Sequence, residues 1–137
     1  VVGLLLAGAP IDSALVLELT AFFLWGMAAH AFGAVQDIVP DREARIHSIA
    51  TAIGARATAR LALALWAVAG LLMLAAPWPG PLAAIIAVPY LLNCLTYWSV
   101  TDATSAGTNR AWRRFIALNY FSGFLVTLLL IAQWNQV

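Results

Sequence analysis

Two acidic residues four positions apart, Asp37 and Asp41, are the side chains in this sequence whose types and spacing most directly suggest chemistry. On a helix the two carboxylates would face the same way, one turn apart, and like charges at that spacing repel each other. Mg²⁺ converts this repulsion into coordination, because it binds one or two carboxylates and fills its other positions with water and phosphate oxygens. We therefore interpret the pair as a magnesium site that holds a diphosphate. Pro40 allows an alternative geometry, in which Asp37 ends one helix and Pro40 begins the next.

Two arginines, Arg42 and Arg45, lie in the same polar stretch, which runs from Asp37 to Gly54. Both could pair with the phosphate oxygens of a bound diphosphate. The alternative is that they only orient the chain in a membrane, with their charged ends reaching toward water. Arg56 and Arg60, at the start of the next segment, are interpreted as orientation signals rather than as ligands.

Several other polar side chains within the apolar segments would approach the level of the acid pair. Polar groups at membrane depth normally face a cavity or the interior of a helix bundle. Each could therefore line a substrate cavity or form a hydrogen bond between helices. These possible cavity residues are His30, Asn93, Tyr97, Asn119 and Tyr120.

The composition excludes a soluble domain. Of the 137 residues 64% are hydrophobic and only 9% are charged, and the mean hydropathy is +0.91, so lipid must be the solvent for much of the surface. The net charge is +1 and all seven basic residues are arginines confined to two short segments, which argues against a nucleic-acid partner. The single cysteine, Cys94, excludes a disulfide framework or a thiolate metal site, and we interpret it as a packing residue.

Four apolar segments are long enough to cross the ~30 Å hydrocarbon layer at about 1.5 Å per residue. Asp12 and Ser13 can cap the first segment, and a stiff proline-rich turn joins the second to the third. The sequence therefore predicts an all-α membrane protein with four full transmembrane helices, plus the tail of a fifth at Val1–Ala9 that indicates a piece of a longer protein. The segments run to about Gln36, from Ala57 to Ala76, from Leu82 to Thr101 and from Arg110 to about Trp134, with a polar loop at Asp102–Asn109.

A short amphipathic helix is expected across the mouth of the site. Ile46, Ile49, Ala50 and Ile53 recur at steps of three and four residues, which is typical of one apolar helix face. Gly54 follows them as a helix end. We interpret this segment as a lid.

Small and aromatic residues inside the spans predict helix packing. Gly26, Ala29 and Gly33 put small side chains on neighbouring turns of one face, which lets another helix approach closely. Trp25 and Trp66 fall near the middle of the membrane, where they either pack between helices or line a hydrophobic tunnel.

The arginines lie in two loops that the predicted helices place on the same side of the membrane, whereas the opposite loops carry none. The positive-inside rule puts these two loops in the cytoplasm and the carboxyl terminus outside. Trp98 and Trp112 would then lie at the inner interface, and Trp78 and Trp134 at the outer one. We therefore expect an integral, multi-pass protein of the cell (inner) membrane whose active-site loops are cytoplasmic.

The residues around the acid pair resemble a known family. Asp37-x-x-x-Asp41 followed by Arg42, and then Ile46-x-Ser48-x-Ala50-Thr51-x-x-Gly54, is similar to the second aspartate-rich motif and the following lid of the UbiA-type intramembrane prenyltransferases. The longer sequence segment from Ala29 to Ala44 is most similar to the lycopene elongase branch of that family. The spacing of the helices agrees with the family over essentially the whole chain.

The resemblance implies that residues 1–137 are the carboxyl-terminal part of a single nine-helix domain. It implies transfer of an isoprenoid from its diphosphate to a lipophilic acceptor, with Mg²⁺ held by two aspartate-rich motifs across a central cavity. Asp37 and Asp41 would be metal ligands, and Arg42 would lie near the diphosphate. In the elongase branch the donor would be dimethylallyl diphosphate and the acceptor lycopene. The missing amino-terminal half would supply the other motif, so we expect this chain alone to be inactive.

One position departs from the family pattern, since Arg45 stands where the family usually has glycine. The arginine either hinders the close approach of the lid to the substrate or adds a phosphate contact.

Other functions also stay open. The acceptor could be an aromatic quinone precursor or a chlorophyll-type molecule. The chain could instead be a non-catalytic membrane subunit or a transporter segment, whose acids couple ions or lie at the surface.

Overall fold

All regular structure is helical in the part of the chain that the computed structural model describes, which comprises Leu6, Gly8 and residues 11–134, the last two by backbone alone. The expected helix tail at Val1–Ala9, apart from Leu6 and Gly8, and the interfacial Trp134 side chain lie outside that part. The elements are α1 (Ser13–Val35), α2 (Ile38–Glu43), α3 (Ile49–Ile53), α4 (Ala55–Leu74), α5 (Gly80–Leu95), a 3-10 helix (Asp102–Thr108) and α6 (Asn109–Trp134).

Three helical stretches are long and apolar enough to cross a membrane, namely Ser13–Val35, Ala55–Leu74 and Asp102–Ala132. They correspond to the first, second and fourth spans predicted from the sequence. The remaining apolar helix, α5, has 16 residues and extends over about 24 Å at about 1.5 Å per residue. It is therefore shorter than the other three.

The expected third span, Leu82–Thr101, corresponds to α5 but ends at Leu95. The hydroxyl of Thr96 donates to the carbonyl oxygen of Asn93 at 2.8 Å. The N–H of Tyr97 donates three residues back rather than four. Short-range bonds of this kind tighten and end an α-helix, so the chain leaves the span earlier than its apolar composition predicts.

The expected polar loop Asp102–Asn109 is a 3-10 helix in the structure. Thr101 precedes it and forms a reciprocal capping box with Thr104, in which the N–H of Thr101 donates to the Thr104 hydroxyl at 3.1 Å. Threonine hydroxyls satisfy nearby backbone groups locally, and this allows a threonine-rich segment to coil tightly. The segment connects α5 to α6 as predicted, but it does so as a short helix.

Helix α1 begins as the sequence predicts. The Oδ1 atom of Asp12 accepts the N–H of Leu15 at 2.8 Å. This bond satisfies one of the N–H groups that the start of a helix leaves without a partner. From there α1 continues to Val35, directly before the acid pair.

The four long helices pack around an aromatic core. Helix α1 packs on α4, α4 on α5, and α5 on α6. Trp66 of α4 lies at the centre and is 1% exposed. Its ring centroid lies 5.8, 5.9 and 5.8 Å from those of Phe32, Tyr90 and Phe115, distances at which tilted aromatic pairs attract. Of the two alternatives for Trp66, packing or lining a tunnel, the structure shows packing.

One glycine of the predicted small-residue face permits a close contact between helices. A Cβ on Gly33 would lie 3.0 Å from the ring of Trp112, so a larger residue would push this ring of α6 away from α1 and glycine permits the close contact. Ala29 packs beside the aromatic core. A Cβ on Gly26 would meet nothing within 4 Å, so the described helices do not use that position.

Candidate functional site

The two predicted metal ligands lie where α1 gives way to α2. Asp37 immediately precedes α2 and Asp41 lies inside it. The N–H of Asp41 donates to the carbonyl oxygen of Asp37 at 2.8 Å, which sets the two acids one helical turn apart. Pro40 occupies the first turn of α2, where its missing N–H costs no hydrogen bond. The break between two helices that Pro40 suggested is present, but it lies at Gln36 and Asp37, and the second helix begins at Ile38 rather than at Pro40.

Both acids are accessible to a ligand. Asp37 is exposed and Asp41 is half-buried. Among the described residues neither acid has a salt-bridge partner. Because like charges one turn apart repel, a bound cation would lower the electrostatic energy of this pair.

A chain of two amide groups orients Asp37. Nδ2 of Asn109, the first residue of α6, donates to Oε1 of Gln36 at 2.7 Å. Nε2 of Gln36 in turn donates to Oδ2 of Asp37 at 3.4 Å. Oδ1 of Asp37 has no hydrogen-bond partner among the described residues and is left for a ligand. Gln36 and Asn109 are 73 residues apart, so no spacing in the sequence indicated that they would meet.

Arg42, the predicted diphosphate ligand, binds a carboxylate that the sequence analysis missed. Its Nη1 donates to Oδ2 of Asp102 at 2.7 Å, and its Nη2 donates to the carbonyl oxygen of Thr51 at 3.4 Å. Arg42 therefore joins α2 to α3 and to the 3-10 helix. The two charged side chains are 46% and 39% exposed, so the guanidinium stays accessible to a phosphate.

Asp102 also caps α4. Its Oδ1 accepts the N–H of Ala55 at 2.7 Å, and a carboxylate at a helix start satisfies an unpaired N–H and complements the helix dipole. Gly54 turns the chain into α4 with a φ of +83°. A Cβ on Gly54 would lie 3.4 Å from Oδ1 of Asp102. The partners of Asp102 lie 47 and 60 residues away in the chain, which is why no local pattern revealed its role.

The predicted lid helix is shorter than expected, because residues 46–48 are not helical and only Ile49–Ile53 are. Arg45 takes a φ of +57°, in the left-handed region, and this ends α2. Helix α3 begins after Ser48, whose hydroxyl accepts the N–H of Thr51 at 3.2 Å. The helical part of the lid is therefore Ile49–Ile53, five residues long. Backbone geometry at Arg45 and capping at Ser48 override the apolar periodicity that predicted a longer helix.

The isoleucines of this lid are only about half covered by the described residues. Ile46, Ile49 and Ile53 are 54%, 42% and 48% exposed. Ala50 is fully buried and packs in a cluster formed with residues of α1 and α4. One face of α3 is thus docked, and the larger apolar side chains remain accessible to a lipophilic molecule.

Three of the five residues considered for a cavity form hydrogen bonds between elements. Nδ2 of Asn93 donates to a backbone carbonyl of α6 at 2.9 Å, and the hydroxyl of Tyr97 donates to a backbone carbonyl of the 3-10 helix at 3.1 Å. Oδ1 of Asn119 accepts the hydroxyl of Tyr90 at 2.8 Å. The sequence left two roles open for these residues, lining a cavity or forming a hydrogen bond between helices. The structure shows the hydrogen bonds.

The other two, His30 and Tyr120, are exposed, Tyr120 by 80%. His30 lies on the face of α1 that also exposes Phe23 and Met27, at 64% and 42%. Residues at these spacings lie on one side of a helix. This apolar face leads toward Asp37, and a cavity role for His30 and Tyr120 stays a prediction.

A family model matches residues 1–132, and it is that of the UbiA prenyltransferase family. This chain belongs to the UbiA family. The resemblance drawn from the aspartate motif and lid is therefore confirmed. UbiA membership and the three long apolar stretches together make the chain part of an integral membrane protein.

Relatives of this UbiA chain include proteins named for carotenoid biosynthesis. It is 43% identical over 131 residues to a lycopene elongase/hydratase of Corynebacterium glutamicum, an alignment covering 96% of this chain and 46% of the relative. It is 48% identical over 128 residues to the C(50) beta-cyclic carotenoids biosynthesis protein LbtBC of Dietzia sp., covering 93% and 30%. It is 33% identical over 122 residues to a lycopene elongase/hydratase of Haloferax volcanii, covering 88% and 37%.

The chain therefore spans less than half the length of each of these relatives. The similarity to the lycopene elongase branch that the segment from Ala29 to Ala44 suggested is confirmed by their names. No solved structure matches the chain.

The donor atoms at the acid pair fit Mg²⁺. Asp37 and Asp41 offer hard carboxylate oxygens, and Mg²⁺ takes one or two protein carboxylates while water and phosphate oxygens fill its other positions. No group of three or more His, Cys, Asp and Glu side chains lies together in the described part of the UbiA chain. A closed zinc-type site, which needs four protein ligands, is therefore not formed by those residues.

Proposed function

We propose that the whole protein containing this UbiA chain transfers the prenyl group of an allylic diphosphate, dimethylallyl diphosphate, to lycopene in a Mg²⁺-dependent reaction. The observation that carries the proposal is the geometry of Asp37 and Asp41. They are one turn apart, accessible, and without a salt-bridge partner among the described residues, at the end of a long apolar helix. The names of the relatives support a carotenoid acceptor.

Asp37 and Asp41 would hold the Mg²⁺, whose positive charge stabilises the diphosphate as it leaves. Gln36 donates to one oxygen of Asp37 at 3.4 Å and so favours one orientation of the carboxylate. Asn109 holds Gln36 in turn. Partners of this kind fix a metal ligand before the metal arrives and strengthen its binding.

Arg42 and Arg45 would add positive charge around the diphosphate. A guanidinium can bind two phosphate oxygens at once. Arg42 is already bound to Asp102, so a diphosphate would share the guanidinium with this carboxylate or displace it. Arg45 is exposed and lies three residues after Arg42, just beyond the end of α2.

In the transfer, the bond between the allylic carbon and the diphosphate oxygen breaks, and both electrons leave with the diphosphate. Electrons of an acceptor double bond form the new carbon–carbon bond. Positive charge then passes to the acceptor, where loss of a proton or capture of water removes it. Such a cation needs a site without free water. The apolar face of α1 that exposes Phe23 and Met27 would supply part of that surface.

The proposal includes an amino-terminal part that supplies the second aspartate-rich motif. It also includes a nine-helix bundle in which α1, α4, α5 and α6 are the four carboxyl-terminal spans. One observation supports this: the chain spans less than half the length of its relatives.

We also propose that the site faces the cytoplasm from the cell membrane. The bond between Arg42 and Asp102 holds the segment after α1 and the segment before α6 at one end of the bundle. All seven arginines lie in or next to these two segments. The positive-inside rule assigns that end to the cytoplasm.

The test is transfer from dimethylallyl diphosphate to lycopene in membranes that contain the full-length protein, with and without Mg²⁺. Asp37→Asn and Asp41→Asn are each expected to lower product formation by about a hundredfold or more, because each removes a charged group that positions the leaving diphosphate. Asp12→Asn is the control. It removes an acid at the other end of α1, and asparagine also caps helices, so activity should stay near that of the parent.

Two results would contradict parts of the proposal. Asp37 and Asp41 variants as active as the parent would make the acids surface charges, as in a non-catalytic subunit or a transporter segment. A parent that transfers a prenyl group to an aromatic quinone precursor or a chlorophyll-type acceptor, and not to lycopene, would keep the site and overturn the carotenoid acceptor.

A further inference from the structure

An open depression of about 490 Å³ lies beside the start of α4. Neither Asp37 nor Asp41 lines it, so it is separate from the proposed Mg²⁺ site. Its walls are formed by the end of α3, the first residues of α4 and the segment that enters the 3-10 helix. The charged residues among them are Arg56, Arg60 and Asp102.

Arg60 is held in place at this depression. Its guanidinium lies 4.3 Å from the ring centroid of Trp98, and its Nε donates to the carbonyl oxygen of Trp98 at 3.3 Å. The cation–π contact and the hydrogen bond restrict the side chain before any ligand binds. Among the described residues its two terminal nitrogens have no hydrogen-bond partner, so they are available to an acceptor.

The depression has an excess of positive charge. Arg56 lies one turn before Arg60 and is exposed, and neither has a salt-bridge partner in the described part of the chain. The acid in the depression, Asp102, uses Oδ2 for Arg42 and Oδ1 for the N–H of Ala55, at 2.7 Å each. Two guanidinium groups beside a carboxylate that is already paired are suited to a phosphate.

The surroundings of the depression match the boundary between lipid and water. Beyond Arg60 the same side of α4 exposes Val68 and Leu71, at 45% and 63%. Helix α5 exposes Leu95 at 50%, one turn before Trp98, which is 47% exposed. Tryptophan favours the membrane interface, and arginines near the cytoplasmic face attract anionic lipids. A phospholipid would contact both the arginines and the exposed apolar side chains, whereas a free phosphate would contact only the arginines.

We propose that this depression binds the phosphate of an anionic phospholipid headgroup through Arg56 and Arg60, with the acyl chains against the exposed apolar residues of α4 and α5. Arg60 thus acts as a ligand and not only as an orientation signal. The site does not depend on which molecule accepts the prenyl group.

The test is native mass spectrometry of the full-length protein in detergent, titrated with phosphatidylglycerol and, separately, with phosphatidylcholine. The double variant Arg56→Gln/Arg60→Gln is expected to bind phosphatidylglycerol about thirtyfold more weakly, since each guanidinium in direct contact with the headgroup would contribute about fivefold to the affinity. Binding of phosphatidylcholine should not change. Arg56→Gln alone, which leaves the contact of Arg60 with Trp98 in place, should give about a fivefold loss.

The matched control is Arg113→Gln/Arg114→Gln, which removes two exposed arginines of α6 that do not line the depression. This control should keep phosphatidylglycerol binding. An equal loss in the control would mean unspecific attraction to net charge and would overturn the site. In a third arm, inorganic phosphate is added in excess. If inorganic phosphate bound the parent as tightly as phosphatidylglycerol does, the acyl chains would contribute nothing and the lipid assignment would fail.

Discussion

Among individual residues, Asp102 connects three elements through its two carboxylate oxygens. Oδ2 binds Arg42 of α2 and Oδ1 binds the N–H of Ala55 at the start of α4, both at 2.7 Å. Helix α2 also carries Asp41, so Asp102 helps to position one proposed Mg²⁺ ligand. Because both charged side chains are more than a third exposed, the ion pair itself adds little stability, and the cap on Ala55 contributes more.

Asp102→Asn should therefore destabilise the protein less than Asp102→Ala. Asparagine can still cap α4, whereas alanine loses both contacts. We expect alanine to lower the free energy of unfolding by about 1 to 2 kcal/mol and asparagine to lower it by less than about 1 kcal/mol. The measurement is thermal unfolding of the full-length protein in detergent. Glu43→Ala, at an exposed acid of α2, is the control. Equal losses in the Asn and Ala variants would contradict the role of the cap.

Arg45 has a backbone conformation that favours glycine, which agrees with the glycine that the family resemblance implied at this position. Its φ is +57°, and the left-handed region costs a residue with a side chain about 1 to 2 kcal/mol, of which glycine's greater chain entropy offsets about 0.5 to 1 kcal/mol. Arg45→Gly should therefore raise the unfolding free energy by about 0.5 kcal/mol, whereas Arg45→Gln should leave it unchanged.

The same two variants test the proposed phosphate contact of Arg45. Loss of the cation should raise the KM for dimethylallyl diphosphate in both, by about threefold to tenfold for one accessible charged contact. A KM that stays constant in both variants would remove Arg45 from the diphosphate contacts while leaving the backbone argument intact.

Between helices, a group of polar side chains centred on Tyr90 joins α5 to α6. The Tyr90 hydroxyl bonds to Oδ1 of Asn119 at 2.8 Å and to Oγ of Ser122 at 2.9 Å. Tyr90 and Ser122 are buried. In a bilayer, lipid is as apolar as the helix surfaces, so hydrogen bonds and close packing must hold such helices together.

Tyr90→Phe should therefore lower the free energy of unfolding by about 1 kcal/mol, since it leaves buried Ser122 without its partner. The matched control is Tyr120→Phe, which removes the same hydroxyl from a side chain that is 80% exposed and should change stability little. Thermal unfolding in one detergent compares the two. A loss at Tyr120 as large as that at Tyr90 would show that the interhelical bonds are not the cause.

For the molecule as a whole, the described helices leave large apolar side chains uncovered. Phe23 of α1 and Phe121 and Phe124 of α6 are 64%, 63% and 60% exposed. Lipid can cover such faces, and so can the helices of an amino-terminal part. Mg²⁺ bound at the acid pair would also leave coordination positions open, which water, phosphate oxygens or the proposed amino-terminal motif would fill.

We therefore expect no detectable prenyl transfer from this chain expressed alone. Co-expression with the remaining part of the protein as a separate chain should restore transfer, because the uncovered faces would let the two parts associate in the membrane. The product should disappear again when the chain carries Asp37→Asn. The measurement is formation of prenylated lycopene in isolated membranes. Transfer by the chain alone would contradict the proposal that an amino-terminal part is needed for activity.

Much of this architecture was predictable because its signals are local. Apolar length predicted the long helices, Asp12 predicted the start of α1 through its bond to Leu15, and the four-residue spacing of Asp37 and Asp41 predicted acids one turn apart. The motif around these acids also indicated the family that the comparison confirmed. Each of these signals lies within a few residues of what it predicts, so no knowledge of the fold was needed.

Other features depended on residues that are distant in the chain. Asp102 meets Arg42 across 60 residues, and Asn109 meets Gln36 across 73. No periodicity links such residues, and only the packing of α1, α4 and the 3-10 helix at one end of the bundle brings them together. The helix of the lid is shorter than its apolar pattern because Arg45 takes a left-handed conformation and Ser48 caps a new helix. Local periodicity indicates which face of a helix is apolar. Where a helix ends, and which groups a charged side chain contacts, depend on how the whole chain folds.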